Sequence, residues 1–214
     1  MRTHRASSRG RPGTRSPWGV PSGWEDRGVI LTRVLLGLTV ATWVVLEARQ
    51  AARSRPDARD ADRGSLFVLG GGTLAGFVAA AAAARVFPAA AIPTAAAHVL
   101  ALAFLWCGIA LRQWCFRSLG ESFTFEVQVS ADQQMVSSGP YRWVRHPAYL
   151  GMMLCMLGLG ALLESWASLL ALLAVMTTAV VNRIHVEERA LVDELGEAYT
   201  SYAAGRKRLV PLVW

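Results

Sequence analysis

The residues best suited to chemistry lie within one short stretch, Ser138–Gly151, which reads SGPYRWVRHPAYLG. It combines a Gly-Pro-Tyr turn, an Arg-His-Pro triplet and a second tyrosine at the edge of an apolar segment. Pro140 and Pro147 each disfavour a helix at the preceding residue, so the chain is expected to be extended at Gly139 and His146. Backbone N–H groups left free at the start of a helix suit an anionic or carboxylate ligand.

A second set of charged residues follows in the last apolar segment. Arg183 and Glu187 are four residues apart and share one helix face, whereas Glu188 points about a hundred degrees away from it. Together with His146 and Tyr149, this cation and anion could hold a zwitterionic or doubly charged ligand. The alternative is structural, with a helix salt bridge, arginines that set topology and interfacial tyrosines. The residue types alone leave both interpretations open.

The composition of the chain indicates a membrane protein. Hydrophobic residues make up 53% of its 214 residues and cluster in several long runs, which one cleavable signal cannot explain. The formal charge of +7 fits topology and anionic headgroups, since no aromatic–basic interleaving or zinc spacing points to nucleic acid. The three cysteines have no metal-ligand spacing, so no metal is expected.

Five apolar runs predict an all-α polytopic membrane protein with about five transmembrane helices, the last two forming a hairpin. The runs are Gly28–Leu46, Ser65–Phe87, Thr94–Leu111, Leu150–Leu163 and Ala167–Val181. A C-terminal helix is expected to continue past the membrane from Asn182 and to end at Gly196. The first run could instead be a signal peptide, but no small-residue cleavage site follows it, which favours a retained span.

The chain divides into three regions by composition. Residues 1–27 are rich in Arg, Ser, Gly and Pro and are predicted to be disordered, because this composition cannot bury a core. Residues 28–111 are predicted to form a three-span membrane scaffold, and residues 112–214 the core that carries the chemistry. Within that core, GESFTFEVQVSADQQMV alternates polar and apolar residues, as a short extended segment would.

The arginines predict a topology with the N-terminus outside. The segments 47–64, 112–148 and 183–214 then face the cytosol and hold five, four and five basic residues, whereas the Pro88–Pro93 turn holds none. Six arginines in residues 1–27 run against this rule. A translocated tail, a later start codon or a different span count would each account for them.

Two motifs near the C-terminus occur together and in order. The first is G-x-Y-x-x-x-R-H-P-x-Y-x-G, and the second is E-E-x-x-L followed by G-x-x-Y-x-x-Y. With the apolar hairpin between them, the segment Gln133–Pro211 resembles the isoprenylcysteine carboxyl methyltransferase family. That family shares its C-terminal core with phospholipid N-methyltransferases and other small integral-membrane methyltransferases. The first three spans carry no motif and resemble the family only in kind.

The resemblance implies an S-adenosylmethionine site between the hairpin and the C-terminal helix, which closes it, reached from the cytosol. The matching cofactor-binding positions are Gln133, Gln134, Met135, Val136, Tyr141, His146, Pro147, Ala148, Tyr149 and Glu187. Glu187 matches the acidic residue that contacts the cofactor, and Arg183 matches a residue placed towards the substrate carboxylate. These two are therefore the expected catalytic residues.

The activity implied by the resemblance is methyl transfer to a lipophilic acceptor that arrives from the bilayer. Arg183 suggests carboxyl O-methylation of an isoprenylcysteine or a similar lipid-like carboxylate. Methylation of a phospholipid amine or a small thiol, or a non-catalytic membrane module that retains the fold, are the alternatives. The expected partners are the acceptor and membrane lipids, and the active site of this multi-pass protein is expected to face the cytosol.

Overall fold

The computed structural model describes residues 23–51, 59–60, 64–120, 128–129, 136–210 and 214. The chain forms two compact units, residues 1–35 and residues 36–214. In the first unit, the described part is the beginning of helix α1. Every contact discussed below lies within the second unit. Residues 1–22 of the tail predicted at 1–27, and the cofactor-segment residues Gln133, Gln134 and Met135, lie outside the described residues, whereas residues 23–27 form the beginning of α1.

The described elements are almost entirely helical. In chain order they are α1 (Gly23–Ala51), β1 (Arg59–Asp60), α2 (Ser65–Val86), α3 (Thr94–Leu119), β2 (Gln128–Val129), a 3-10 helix (Gly139–Arg142), α4 (Pro147–Ala161), α5 (Trp166–Leu195) and α6 (Glu197–Ala204). The two-residue strands β1 and β2 pair antiparallel, and β2 falls in the stretch predicted to be extended. The all-α prediction is confirmed.

Four of these helices are long and apolar enough to cross a membrane. The apolar segments are Ile30–Gln50, Phe67–Val86, Thr94–Leu119 and Trp166–Leu195, and α4 is a shorter apolar helix. Large apolar side chains point outward along them, and Phe67 is 86% exposed. Exposed apolar side chains on helices of this length and hydropathy are typical of membrane spans. The predicted polytopic fold of about five membrane helices is therefore confirmed.

Small residues bring the helices into close contact. A Cβ added to Gly108 of α3 would lie 2.6 Å from the carbonyl oxygen of Gly151 in α4. A Cβ added to Gly72 of α2 would lie 2.7 Å from the Cβ of Ala179 in α5. The GGGTLAG sequence in the second span predicts this second contact, because small residues allow membrane helices to approach closely.

One end of the bundle is formed by two turns, and we call it the turn end. The N–H of Ile92 donates to the carbonyl oxygen of Glu164 at 2.8 Å, and the N–H of Trp166 donates to that of Ala90 at 2.8 Å. The turn after α2 therefore lies against the turn of the α4–α5 hairpin. The predicted hairpin is confirmed.

The opposite end, which we call the site end, gathers the three basic regions. Arg112 in the last third of α3 pairs with Glu47 in the last turns of α1. Arg183 in the last part of α5 donates to Ser65 at the start of α2. The prediction that these regions share one side of the membrane agrees with this arrangement.

Two local predictions are corrected by the structure. Helix α3 runs on to Leu119 and does not end at Leu111, because Arg112 finds an acidic partner inside the bundle. Gly139 is not extended: its φ is +58°, and it begins the 3-10 helix. A Cβ there would lie 2.2 Å from Ser118 Oγ, so only glycine fits. Gly196, with φ +51°, ends α5 as predicted.

Candidate functional site

The Arg-His-Pro triplet is placed by pairing with the C-terminal segment. Pro147 is the first residue of α4, where its missing N–H removes no helical hydrogen bond. The N–H of Arg145 donates to the carbonyl oxygen of Lys207 at 2.9 Å, and the N–H of His146 donates to that of Arg208 at 2.8 Å. The expectation of free N–H groups is therefore wrong at Arg145 and His146, because the protein itself uses them.

A hydrogen-bonded series joins α2, α4 and α5 at the site end. The Tyr149 hydroxyl donates to Glu187 Oε2 at 2.8 Å and accepts a hydrogen bond from Arg183 Nε at 3.2 Å. Arg183 Nη1 in turn donates to Ser65 Oγ at 2.5 Å. Arg183 is only 2% exposed. Arg183 and Glu187 share one helix face as predicted, and the hydroxyl of Tyr149 connects them.

The His146 ring lies between two adjacent acids. Its Nε2 is 3.3 Å from Glu188 Oε1, and its Nδ1 is 3.8 Å from Glu187 Oε2. Glu188 lies about a hundred degrees away from the face shared by Arg183 and Glu187, yet its carboxylate also reaches the imidazole, so both acids contact His146. The side chain of Glu187 is 31% exposed and that of Glu188 is 11% exposed. Glu187 is therefore the acid that a ligand can reach.

Glu188 connects α5 to two other segments of the site. One is the Arg-His-Pro triplet before α4, and the other is the C-terminal segment after α6. Its carboxylate accepts hydrogen bonds from Arg145 Nη1 at 2.9 Å and from Arg208 Nε at 2.8 Å. Two guanidinium groups stabilise its ionised form and occupy both of its oxygens. The helical spacing separates Glu187 from Glu188 in the sequence, but it does not show that two arginines hold Glu188.

Helix α6 supports the 3-10 helix through a hydrogen bond from the side chain of Tyr202 to the backbone of Tyr141. The hydroxyl of Tyr202 donates to the carbonyl oxygen of Tyr141 at 2.9 Å. Burial raises the pKa of the Tyr141 phenol well above its usual range, and the nearby Cys115 and Glu187 raise it further. Burial also raises the pKa of Tyr202 to about 12. A phenol is protonated at neutral pH even without these shifts, so both hydroxyls are able to donate.

The structure brings most of the expected site residues together around the first turn of α4. They are Tyr141, His146, Pro147, Ala148, Tyr149, Arg183 and Glu187. Val136, half-buried, lies ahead of the 3-10 helix. The positions of Gln133, Gln134 and Met135 stay predictions.

An ion pair in the membrane helices was not anticipated from the sequence. The sequence places Glu47 and Arg112 at the start of two polar segments, yet their side chains are 19% and 5% exposed. One feature of the sequence could have predicted the pair. Glu47 and Arg112 carry opposite charges, and they follow two predicted spans on the same predicted side of the membrane. Arg112 also donates to the carbonyl oxygen of Ala148 at 3.0 Å, within the predicted cofactor segment.

An apolar cavity of about 350 Å³ adjoins the same segment. It is lined by Leu111, Pro140, Trp143, Val144, Pro147 and Leu150. Pro140 directly precedes Tyr141, and Pro147 directly follows His146. The cavity therefore lies beside the polar cluster along the chain. Arg142 stacks over the exposed Trp143 ring, with its guanidinium carbon 3.9 Å from the ring centroid.

The fold and the cluster define a small polytopic membrane protein with ionisable groups concentrated at one end of its helices. The model of the isoprenylcysteine carboxyl methyltransferase family matches residues 99–193 of the chain. The resemblance found in the sequence is confirmed. The matched residues include α4 and nearly all of α5, with Tyr149, Arg183 and Glu187.

Individual proteins resemble the chain over about half its length. A protein-S-isoprenylcysteine O-methyltransferase of Schizosaccharomyces pombe is 34% identical, over 53% of this chain and 49% of the relative. A methanethiol S-methyltransferase of a Pseudomonas species is 31% identical, over 53% of this chain and 45% of the relative. The chain spans about half the length of these curated relatives.

A solved structure is also similar. It is that of a eukaryotic intramembrane Ras methyltransferase, which is 27% identical in sequence. The match covers 66% of this chain and 51% of that chain, with a TM-score of 0.49.

Proposed function

We propose that this protein is an S-adenosylmethionine-dependent methyltransferase that acts on a lipophilic acceptor at the membrane. The acceptor group that the site fits best is the carboxylate of an isoprenylcysteine or of a similar lipid-like acid. One observation carries the proposal: Tyr149 joins Arg183 to the accessible carboxylate of Glu187, inside the segment that matches the family.

The chemistry of these side chains fits the cofactor. When bound, S-adenosylmethionine supplies a methyl group from a sulfonium cation. The partly exposed carboxylate of Glu187 offers the negative charge that cationic groups require, and it lies beside two aromatic rings. The Tyr149 ring, 5.8 Å from the His146 ring between their centroids, offers an aromatic face of the kind that attracts cations. Glu187, His146 and Tyr149, with Tyr141 and the segments 133–136 and 147–148, would hold the cofactor.

Arg183 is the residue proposed to orient the acceptor. A carboxylic acid is already ionised at neutral pH, so its methylation requires no general base. A guanidinium group has five donors and binds a carboxylate through two parallel hydrogen bonds. Ser65 and Tyr149 hold the Arg183 side chain in a fixed direction, which reduces the ordering that acceptor binding demands. Correct alignment of the reacting groups is then the main source of rate enhancement.

The apolar cavity supports a lipophilic acceptor. Its six lining residues offer only hydrocarbon or aromatic side chains, and its volume of about 350 Å³ is in the range of ligand pockets. An acceptor with a long apolar chain would bury that chain here or between the helices. A small polar acceptor would gain nothing from such a surface.

A thiol acceptor is the second candidate, because one relative is named a methanethiol S-methyltransferase. A thiol must lose its proton before it attacks, so the site would have to supply a base. Two guanidinium groups hold Glu188, and His146 lies between two carboxylates. Glu187 would then be the base, and the same reasoning applies to a phospholipid amine.

The site end is proposed to face the cytosol. The three regions that meet there carry most of the basic residues outside the N-terminal tail, which is the usual pattern for cytosolic loops. The cofactor is present on that side as well.

The acceptor can be identified by methyl transfer from labelled cofactor. Purified protein is incubated with methyl-labelled S-adenosylmethionine and a membrane lipid extract that contains a farnesylated cysteine. Base-labile label in the prenylcysteine or lipid fraction indicates a carboxyl ester, which is the expected result. Base-stable label indicates N- or S-methylation, and the absence of transfer to any fraction contradicts an enzymatic role.

The role of Arg183 is tested in the same assay. The Arg183→Ala variant is expected to bind the cofactor but to lose turnover, because the acceptor carboxylate is no longer oriented. Arg183→Lys keeps the charge without the paired donors and is expected to be slow as well, with a melting temperature closer to that of the wild type. Normal turnover in either variant would contradict the assignment.

A further inference from the structure

The ion pair between Glu47 and Arg112 has no part in the reaction as described so far. Arg112 donates through Nε and Nη2 to both carboxylate oxygens of Glu47. Its remaining terminal nitrogen, Nη1, donates to the carbonyl oxygen of Ala148 at 3.0 Å. One guanidinium group thus joins the end of α1 to the first turn of α4.

The surroundings of Arg112 are built for this contact. The Arg112 guanidinium carbon lies 4.9 Å from the centroid of the Phe116 ring, one turn further along α3. The side chain crosses the backbone of α4 at Gly151, where a Cβ would lie 2.7 Å from Arg112 Cγ. Any side chain larger than glycine at 151 would therefore displace the arginine.

A charge pair at this depth requires an explanation beyond stability. Burying two ions removes their hydration, and replacing such a pair by apolar residues is often neutral or stabilising. Ionisable residues inside membrane helices are generally associated with function. The pair also holds a backbone atom of the site, the carbonyl oxygen of Ala148, between Pro147 and Tyr149.

We infer that Arg112, held by Glu47, is a positioning residue for the reaction proposed above. It fixes the first turn of α4 to α1 and α3 and so sets the place of the Tyr149 hydroxyl relative to Glu187 and Arg183. The inference rests on the proposed function for its kinetic consequence. It also extends the site to Glu47, which lies outside the segment 99–193 that matches the family.

The test uses a double variant, Glu47→Leu with Arg112→Leu, in the full-length protein in lipid nanodiscs. Removing both charges avoids an unpaired buried ion, so the melting temperature is expected to stay within a few degrees of wild type. The kcat for methyl transfer is expected to fall roughly ten- to hundredfold, since small misplacements of reacting groups have effects of that size. The KM for the acceptor should change much less.

A second readout does not depend on activity. Amide hydrogen exchange of residues 148–153 is expected to be faster in the double variant, whereas exchange in α2 and the turn end is unchanged. Arg112→Lys keeps the charge pair but cannot reach Glu47 and Ala148 in the same geometry, so it should also be slow at an unchanged melting temperature.

The outcomes are distinguishable. Wild-type kcat and unchanged exchange in a stable double variant would overturn the inference. A loss of activity in both variants that follows a loss of melting temperature would overturn it too, because the pair would then be structural only. If the wild type transfers no methyl group, the proposed function fails, and the exchange measurement alone decides whether Arg112 holds α4 in place.

Discussion

At the scale of single residues, the hydroxyl of Tyr149 is the centre of the site. It accepts from Arg183 and donates to Glu187, so it lies between the residue proposed for the acceptor and the residue proposed for the cofactor. The sequence predicts that these residues are near each other, because of the helical spacing and the family motif. It cannot predict which hydroxyl connects them, since that depends on how α4 and α5 meet.

Replacing Tyr149 by Phe tests the connection. The variant keeps the ring and loses only the hydroxyl, so Arg183 and Glu187 each lose one hydrogen bond and the melting temperature should fall moderately. Because the hydroxyl also holds these two residues in place, kcat/KM is expected to fall roughly ten- to hundredfold. Steady-state kinetics with labelled cofactor measure the loss, and a change of less than twofold would show that the hydroxyl has no such role.

The adjacent acid Glu188 is expected to affect stability. In Glu188→Gln, Arg145 and Arg208 lose their shared carboxylate, and removing one partner of a buried ion pair typically costs about 3–5 kcal/mol. Thermal unfolding in detergent should show a marked drop in melting temperature. The exposed acid Asp193 on the same helix provides the control, and Asp193→Asn should unfold like the wild type. Equal melting temperatures for both variants would contradict the structural role of Glu188.

At the scale of elements, the packing of α3 against α4 depends on glycine. A Cβ on Gly158 would lie 2.7 Å from Leu105 Cγ and 2.9 Å from the carbonyl oxygen of Ala101, and backbone atoms cannot move aside without shifting a helix. This contact lies about two and a half turns along α4 from Tyr149. It is therefore a place to test the membrane scaffold separately from the chemistry.

Gly158→Ala is expected to destabilise the protein by about 1–3 kcal/mol through overpacking. Gly70→Ala, in α2, is the matched control, because no atom lies within 4 Å of a Cβ there and alanine favours a helix. Thermal or denaturant unfolding in the same detergent compares the two variants. If Gly70→Ala were the less stable variant, the described approach of α3 and α4 would be wrong.

The elements also show where sequence reasoning succeeds and where it stops. Long apolar runs predict the membrane helices, because a span needs about twenty apolar residues whatever its neighbours are. The end of α3 was missed, since Arg112 is typical of a loop unless its acidic partner from α1 is known. The free N–H groups expected at Arg145 and His146 were wrong for a similar reason. Their acceptors lie on the C-terminal segment, more than sixty residues away in sequence.

At the scale of the whole molecule, the two ends of the bundle differ in chemistry. The turn end is made of short connections at Ala90 and Glu164, whereas the site end gathers the basic segments and the acidic cluster. This polarity agrees with the arginine distribution of the sequence. The orientation of the protein in the membrane can therefore be measured with one labelled position at each end.

Accessibility of single cysteines tests the orientation. In a background without the three natural cysteines, Glu164→Cys at the turn end should react with a membrane-impermeant maleimide added to intact cells. Lys207→Cys at the site end should react only after the membrane is permeabilised. The opposite labelling pattern would place the site outside the cell and would contradict a cytosolic active site.

The central claim is that the acidic and aromatic cluster at the start of α4 binds S-adenosylmethionine through Glu187. Its most direct test is equilibrium binding of labelled cofactor to the purified protein, to Glu187→Gln and to the control Asp193→Asn. We expect Glu187→Gln to bind at least roughly tenfold more weakly at an unchanged melting temperature, because the carboxylate that offsets the cationic cofactor is lost. Asp193→Asn should bind like the wild type. Equal affinity of the wild type and Glu187→Gln would contradict the account.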